Sequence, residues 1–169
     1  MNTALIVVDV QQSLVEEGVG DAPAIIERLN GLLARARRDG VPVVIVRDTR
    51  VEPDDRCHRD LEHEPMDLEV IKSEGDSFTV PQLVEFLEGK GVGRVVIGGM
   101  QTDACINATT RGAVARGFEV VVVSDAHGTL DSGGRTAGEI VRDYNAAFAE
   151  LGRESGKLKL AAAADVTLG

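Results

Sequence analysis

Apolar and polar positions follow two different periods along the chain. Four short segments are continuous runs of branched apolar residues, which suit strands buried on both faces of a parallel sheet. They span residues 4–8, 42–46, 94–97 and 119–123. Between these runs, apolar residues recur at helical spacing. The pattern therefore predicts strands that alternate with helices.

The helix boundaries are marked by capping residues, proline and glycine. Asp21 and Pro23 open a helix that ends at Asp39-Gly40. Further helices are predicted over about 79–89, 104–116 and 136–151, and a short edge strand and tail over 158–166. Strands that alternate with helices favour right-handed crossovers. We therefore predict one domain over residues 1–169, with a doubly wound, three-layer α/β/α fold and a mostly parallel sheet.

Composition and charge exclude several function classes. The chain has 18 basic and 28 acidic residues, a net charge of −10, which argues against binding to nucleic acid. No apolar run approaches the ~20 residues of a membrane span, and the N-terminal stretch lacks the basic start of a secretory signal. With two cysteines, neither a disulfide framework nor a structural zinc site is predicted. We expect a cytoplasmic protein with no membrane or nucleic-acid partner.

Three residues carry the strongest candidate chemistry. Ligands of doubly wound sheets bind at the carboxyl ends of the strands, which singles out Asp9, the Asp48 region and the Gly98–Cys105 turn. Cys105 follows a glycine-rich turn at the start of a predicted helix, where the helix dipole and backbone N–H groups favour a thiolate. Lys72 follows an apolar pair that would draw it inward. Taken singly, the three also fit a loop cap, a small core residue and a surface lysine.

Taken together, these residues lie in motifs that resemble the isochorismatase-like cysteine hydrolases. The motifs are ALIVVDVQ, IKSEGDSF and VVIGGMQTDACINATTRGAVARGFEVVVVSDAH, and DYNAAFAEL resembles the family's last helix. The resemblance covers nearly the whole chain and implies that Asp9, Lys72 and Cys105 form a catalytic triad. It also implies a non-proline cis peptide between Met100 and Gln101, and an oxyanion hole made by the N–H groups of Gln101 and Cys105.

The resemblance leads to a chemical hypothesis. A cysteine nucleophile needs a base at neutral pH, and no histidine of this chain lies in a motif that resembles a Cys–His pair. A buried carboxylate can take that role because burial raises its basicity. We hypothesise that Asp9 takes the thiol proton, Lys72 holds Asp9, and Cys105 attacks a carbonyl to form a thioester. This predicts a hydrolase of small amides or lactams that needs no cofactor.

The chain departs from the metal-dependent nicotinamidases of this family after the second strand. They carry Asp-x-His there, whereas this chain has Asp48-Thr49-Arg50. His58 and His63, five residues apart, are weak evidence for a ligand pair, so no metal is predicted. Isochorismatases that hydrolyse a vinyl ether often lack the cysteine, so Cys105 favours amide chemistry. Vinyl ether hydrolysis, and a non-catalytic member that binds a small molecule or a protein, remain as alternatives.

Four residues are candidates for substrate contacts. Gln11 and Leu14 follow Asp9, and Leu14 matches a position that often forms a pocket wall in the resembling family. Phe78 follows Lys72 and fits either a pocket wall or the core. Arg50 can bind a substrate carboxylate through a bidentate contact, or pair with the acidic segment beside it.

The acidity is concentrated in residues 51–70. This segment has eight acids and two arginines, a net charge of −6, so the rest of the chain carries −4. Such runs are usually solvated loops. Since this one begins beside the strand end where the resembling family binds substrate, a negative rim would attract cations and repel anions. We therefore predict a preference for neutral or positively charged amides. The resemblance also implies a homodimer or a higher homo-oligomer.

Overall fold

Six strands form one parallel sheet in the computed structural model, which describes residues 1–169. The strands are β1 (Asn2–Val8), β2 (Val43–Asp48), β3 (Leu68–Lys72), β4 (Val92–Met100), β5 (Glu119–Gly128) and β6 (Leu158–Ala161). Their order across the sheet is β3-β2-β1-β4-β5-β6, and every neighbouring pair is parallel. The doubly wound α/β prediction is confirmed, and the sheet is wholly parallel.

Five α-helices connect the strands. They are α1 (Gln12–Glu16), α2 (Ala22–Arg38), α3 (Pro81–Gly89), α4 (Asn107–Ala115) and α5 (Ala137–Ser155). The α2 helix stops at Asp39-Gly40 as predicted, and α5 continues one turn further than predicted, to a left-handed Gly156. The helix predicted from residue 104 begins earlier, as a π-helical turn over Thr102–Ile106. None of these helices combines the length and apolar character needed to cross a membrane.

The central strand explains the unbroken apolar runs of the sequence. Successive side chains of a strand point to opposite faces of the sheet. In β1, Leu5 and Val7 pack with α2 on one face, while Ala4, Ile6 and Val8 pack with α3, α4 and α5 on the other. Both faces are covered by helices, so every position of the strand favours an apolar side chain.

The β3 strand is the strand that the sequence pattern does not predict. It is a five-residue edge strand in which Val70 and Lys72 are buried while Glu69 and Ile71 are exposed. An isoleucine on the outside and a lysine on the inside reverse the usual preference of the two residue types. Because β3 pairs with β2 with Lys72 beside Asp48, this strand brings Lys72 to the carboxyl edge of the sheet.

The strand order reverses between β1 and β4. At such a switch point the chain leaves neighbouring strands in opposite directions and opens a crevice at their carboxyl ends. Asp9 directly follows β1, and the π-helical turn with Cys105 follows β4. The topology therefore places both residues at this crevice.

The close packing of β4 on β1 gives a test of the fold. A Cβ atom at Gly99 would lie 2.1 Å from the backbone oxygen of Val8, and Gly99 has φ +125°, which side chains rarely adopt. We expect Gly99→Ala to lower the free energy of unfolding in urea by at least ~3 kcal/mol. Gly31→Ala is the control, because Gly31 lies in α2 with nothing within 4 Å of its Cβ position. It should gain about 0.5–1 kcal/mol, and equal effects of the two changes would contradict the packing.

Candidate active site

The ammonium group of Lys72 lies in a buried polar cluster at the carboxyl edge of the sheet. Its Nζ atom is 2.9 Å from Asp9 Oδ2, 2.8 Å from Asp48 Oδ2 and 3.2 Å from Cys105 Sγ. These three acceptors match the three N–H donors of an ammonium. The structure thus brings together the three residues predicted as catalytic, and adds Asp48 to them.

Four strand ends supply the cluster. Asp48 and Lys72 are the last residues of β2 and β3, Asp9 directly follows β1, and Cys105 lies in the turn after β4. Asp9 has a φ of 51°, a left-handed conformation uncommon for residues other than glycine, and its N–H donates to the Val46 carbonyl. Parallel strands end at one edge, so residues distant in sequence meet there.

Arg50 binds the second carboxylate of the cluster. Its Nε and Nη2 atoms donate to Asp48 Oδ1 and Oδ2 at 3.0 and 2.7 Å, and its backbone N–H donates to Oδ1 at 2.9 Å. Burial acts to raise the pKa of Asp48, but the hydrogen bonds from Arg50 and Lys72 outweigh it and hold that pKa well below its usual range. Asp48 is therefore a permanently charged group.

Asp9 has the opposite behaviour. Burial raises its pKa to about 6, and the charge of Lys72 offsets only part of that effect. Its Oδ1 atom is buried and has no hydrogen-bond partner. When two neighbouring carboxylates have pKa values driven apart, the one nearer neutrality is the candidate for proton transfer. Asp9 is that carboxylate.

The Cys105 thiol is protonated in this environment. Burial, and then the negative charge of Asp9, raise its pKa to about 12 against the opposing effect of Lys72. This corrects the expectation that the helix start alone favours a thiolate, because burial outweighs it. The thiol donates a hydrogen bond to Asp48 Oδ2 at 3.8 Å, and Sγ lies within 4.8 Å of an Asp9 oxygen. Since Asp48 is also held by Arg50 and Lys72 and has a lowered pKa, Asp9 is the candidate acceptor for the thiol proton.

The turn that carries Cys105 also has an unused backbone hydrogen-bond donor. The Met100–Gln101 peptide bond is cis, which confirms the bond that the resemblance implied. The N–H of Ile106 donates to the Gln101 carbonyl at 3.0 Å, the spacing of a π turn. The N–H of Gln101 makes no hydrogen bond within the chain, and Gln101 lines the same cleft as Cys105. An oxyanion formed there would meet an unused donor.

A buried histidine, His127, forms a hydrogen bond to this turn. His127 in β5 bonds through Nδ1 to Thr102 Oγ1 and through Nε2 to Asn145 Oδ1, both at 2.8 Å. Burial lowers the pKa of His127, so the ring is neutral. The sequence pattern does not predict this chain of contacts. Its only signal is that His127 and Asn145 lie within the SDAH and DYNAAFAEL motifs.

An open cleft of about 510 Å³ gives access to the cluster. Among its lining residues are Leu14, Glu17, Arg50, Glu52, Gln101 and Cys105. A larger cavity, of about 660 Å³, lies around Cys57, and two of its three arginines pair with its own acids, Arg47 with Glu69 and Arg56 with Asp54. Cys57 forms no side-chain hydrogen bond there, whereas Cys105 Sγ accepts one from Lys72, so we place the candidate active site in the smaller cleft.

Two of the four predicted substrate contacts do not line the cleft. Leu14 and Arg50 do, but Gln11 is fully buried and its amide bonds the backbone of Asp48 and Asp55. Phe78 is 2% exposed and packs on Phe118 with ring centroids 5.5 Å apart. In place of the predicted substrate contacts, Gln11 fixes the end of β2 and Phe78 fills the core.

The donor set of the cluster fits an ammonium better than a metal ion. Asp9, Asp48 and Cys105 have ligand atoms within 4.8 Å of one another, but Lys72 Nζ already lies within 3.2 Å of all three residues. Lys72 supplies the positive charge that a metal ion would supply. His58 lies outside this group, and its Nδ1 atom accepts from the Asp60 N–H at 3.1 Å.

Fold and site together define an α/β protein with a carboxylate–lysine–cysteine cluster at a topological switch point. Residues 3–151 match the isochorismatase domain, and the chain belongs to the isochorismatase family. A crystal structure of an isochorismatase family protein superposes with a TM-score of 0.86 at 25% identity, covering 95% of this chain and 98% of that one.

Curated relatives give the same family. Streptothricin hydrolase of Streptomyces noursei is 36% identical over 138 residues, which cover 76% of this chain and 50% of that protein. The isochorismatase family protein YrdC of Bacillus subtilis is 33% identical over 134 residues, which cover 73% of this chain and 72% of that protein. The chain spans about half the length of the streptothricin hydrolases that it matches.

The ion cluster predicts a pH-dependent effect of removing Lys72. Lys72→Met leaves Asp9 and Asp48 buried without their shared cation, which should cost ~3–5 kcal/mol of unfolding free energy at pH 8. The folded-state pKa of Asp9 is raised, so its ionisation lowers stability as pH rises through that value. The loss should therefore be smaller at pH 5, where Asp9 takes up a proton.

Urea denaturation of both proteins at pH 5 and pH 8 measures this difference. Lys159→Met is the matched control, because Lys159 is exposed on β6 and its loss should change stability by less than ~0.5 kcal/mol. A loss for Lys72→Met that is equal at the two pH values would show that Asp9 does not carry the charge in question.

Proposed function

We propose that the protein hydrolyses a carbon–nitrogen bond of a small amide or lactam through a thioester on Cys105. The observation that carries this proposal is the unpartnered, buried Oδ1 of Asp9 in the same cluster as a protonated thiol. The relatives named streptothricin hydrolase support hydrolysis, and the intact cysteine supports amide chemistry.

In the first half of the reaction, Asp9 removes the thiol proton while Sγ attacks the amide carbonyl. A carboxylate with a pKa of about 6 is largely ionised at pH 7 and can still return the proton near neutrality. Lys72 donates to Sγ at 3.2 Å and favours the negative charge there. The oxyanion is bound by the N–H groups of Gln101 and Cys105.

Collapse of the tetrahedral intermediate breaks the C–N bond and leaves a thioester. The leaving nitrogen takes the proton from Asp9 and departs as the amine. Asp9, again ionised, then removes a proton from a water that attacks the thioester carbonyl. The acid leaves, and the proton on Asp9 returns to the Cys105 thiolate, so each turnover restores the starting site.

Asp48 keeps Lys72 in its charged form throughout. Burial acts to lower the pKa of Lys72, but the charge of Asp9 and the hydrogen bond to Asp48 raise it above its usual value. Because Arg50 holds Asp48 ionised, Lys72 retains one anionic partner when Asp9 is protonated. Arg50 and Asp48 thus act on the reaction through Lys72.

Replacing the nucleophile tests the reaction class. With a panel of small amides, Cys105→Ala should lose turnover by ~10³-fold or more and should form no thioester detectable by mass spectrometry. Cys57→Ala, which removes the other cysteine, should retain activity. Turnover of a vinyl ether by Cys105→Ala would instead support an isochorismatase-type reaction. Ligand binding without turnover of any substrate would support the non-catalytic alternative.

The role of Asp9 predicts an unusual pH dependence for alkylation of Cys105 by iodoacetamide. The rate should rise as Asp9 ionises near pH 6 and then stay level to about pH 8, because Asp9 rather than hydroxide takes the proton. Burial raises the pKa of Cys57 to about 11, so its rate should keep rising ~tenfold per pH unit. Peptide mass spectrometry separates the two rates.

Asp9→Asn is the control for this profile. Without the carboxylate, the level region should disappear and the Cys105 rate should rise steadily with pH. A level region that persists in Asp9→Asn would remove Asp9 from the role of base. We also expect kcat/KM to fall as the pH is lowered, with a midpoint near the Asp9 pKa of about 6, because protonated Asp9 cannot accept the thiol proton.

A further inference from the structure

Two glutamates at the cleft have no partner within the chain. Glu17 follows α1, and Glu52 lies in the loop after β2. Both are exposed, both line the cleft that contains Cys105, and neither side chain forms an ion pair or a hydrogen bond. The loops after β1 and β2 therefore each place one free carboxylate at the cleft.

The other charges of the cleft cancel in pairs. Asp9 is paired with Lys72, and Asp48 is paired with Arg50. Above the pKa of Asp9, these four groups contribute no net charge, so Glu17 and Glu52 leave the cleft with an excess of two negative charges. A concave site with an excess of one sign attracts ligands of the opposite sign.

The remaining acids of the 51–70 segment contribute little to this excess. Most are held by arginines on other surfaces: Asp54 by Arg56, Asp55 and Glu69 by Arg47, and Glu64 and Asp67 by Arg37. Only Glu52 of this segment's acids lines the cleft, and Glu17 lies outside the segment. The negative rim expected from the sequence is therefore reduced to two residues.

Arg50 does not offset the excess negative charge of the cleft. It was a candidate to bind a substrate carboxylate through a bidentate contact, but its Nε and Nη2 atoms already form that contact with Asp48. The buried Asp9 Oδ1 adds another unpartnered acceptor to the cleft. The unpaired groups that face a ligand are thus mainly hydrogen-bond acceptors and anions.

We propose that the cleft selects amides that carry an ammonium or guanidinium group, which Glu17 and Glu52 bind while the amide carbonyl lies at Cys105. The proposal rests on the proposed function for the bond that reacts. The electrostatic selection itself needs no hydrolysis and can be measured at Cys105 directly.

Charged thiol reagents measure this selection. Each methanethiosulfonate transfers its RS group to Cys105, forming a mixed disulfide and releasing methanesulfinate with the thiol proton. In a Cys57→Ser background, Cys105 is the only thiol of the chain. Rates are compared for the 2-(trimethylammonium)ethyl, 2-sulfonatoethyl and uncharged methyl reagents at pH 8 and low salt.

The cationic reagent should react faster than the anionic one, after division by their rates with a small free thiol. In Glu17→Gln/Glu52→Gln this ratio should fall by about tenfold, while the methyl reagent keeps its rate. The matched control is Glu27→Gln/Glu62→Gln, which makes the same change in net charge at exposed glutamates away from the cleft. An unchanged ratio in the cleft variant, or an equal fall in the control, would overturn the proposal.

Hydrolysis supplies the second arm, with butanamide, 4-aminobutanamide and succinamate as uncharged, cationic and anionic substrates of similar size. A preference for the cation that disappears in Glu17→Gln/Glu52→Gln, through KM rather than kcat, supports the proposal. Turnover without charge preference contradicts it and leaves the amidase function standing. Charge-selective labelling of Cys105 without turnover of any amide would contradict the amidase function and leave the selective cleft standing.

Discussion

The site depends on the position of one ammonium group. Lys72 lies buried with two carboxylates and a thiol around its nitrogen, and no other cation contacts Asp9. Burying any one of these ions alone would be very costly, but together they satisfy one another. The same contact joins the ends of β1, β2 and β3 to the turn after β4. The reactive groups therefore come together only when these strand ends and this turn are in place.

Arg50 makes the two carboxylates chemically different. Both belong to the same cluster and both contact Lys72, yet only Asp48 has a guanidinium bound to it. This extra partner separates a permanent anion from a carboxyl group that titrates near neutrality. The division of labour between neighbouring acids is a frequent basis for proton transfer in enzymes. In this chain it follows from the burial of Asp9 and from one surface residue, Arg50, that binds Asp48.

The sequence pattern predicts the architecture well because most of the fold obeys simple rules. The central strands are continuous apolar runs, α2 ends at Asp39-Gly40 and Thr136 caps α5, whereas Asp21 forms no capping hydrogen bond at the start of α2. The pattern fails at β3, where Lys72 is buried and Ile71 is exposed. It places the Asp48 region at the ligand-binding edge but does not assign Asp48 to the cluster, because a strand-end aspartate gives no sign of which lysine it will meet. Local deviations from the rules are expected where a site is built.

The substrate contacts were harder to predict because they depend on where loops turn. Nothing in the sequence shows that the Gln11 amide is used up by backbone groups, or that Asp76 caps the turn that directs Phe78 into the core. Conversely, Glu17 carries no motif and becomes relevant only because α1 ends beside the cleft. Sequence motifs identify the reactive groups, whereas the residues that line the cleft can be identified only from the folded structure.

The hydrogen bonds of the Gln11 side-chain amide have a consequence for how the substrate specificity of this protein can evolve. The amide binds the backbone at both Asp48 and Asp55, so it fixes the start of the long loop and the carboxylate before it as one unit. Val51 and Glu52 lie between these two anchors and line the cleft, so substitutions there can alter the surroundings of the cleft without displacing the reactive groups. The loop is therefore a region in which new specificities can evolve while the chemistry is inherited intact.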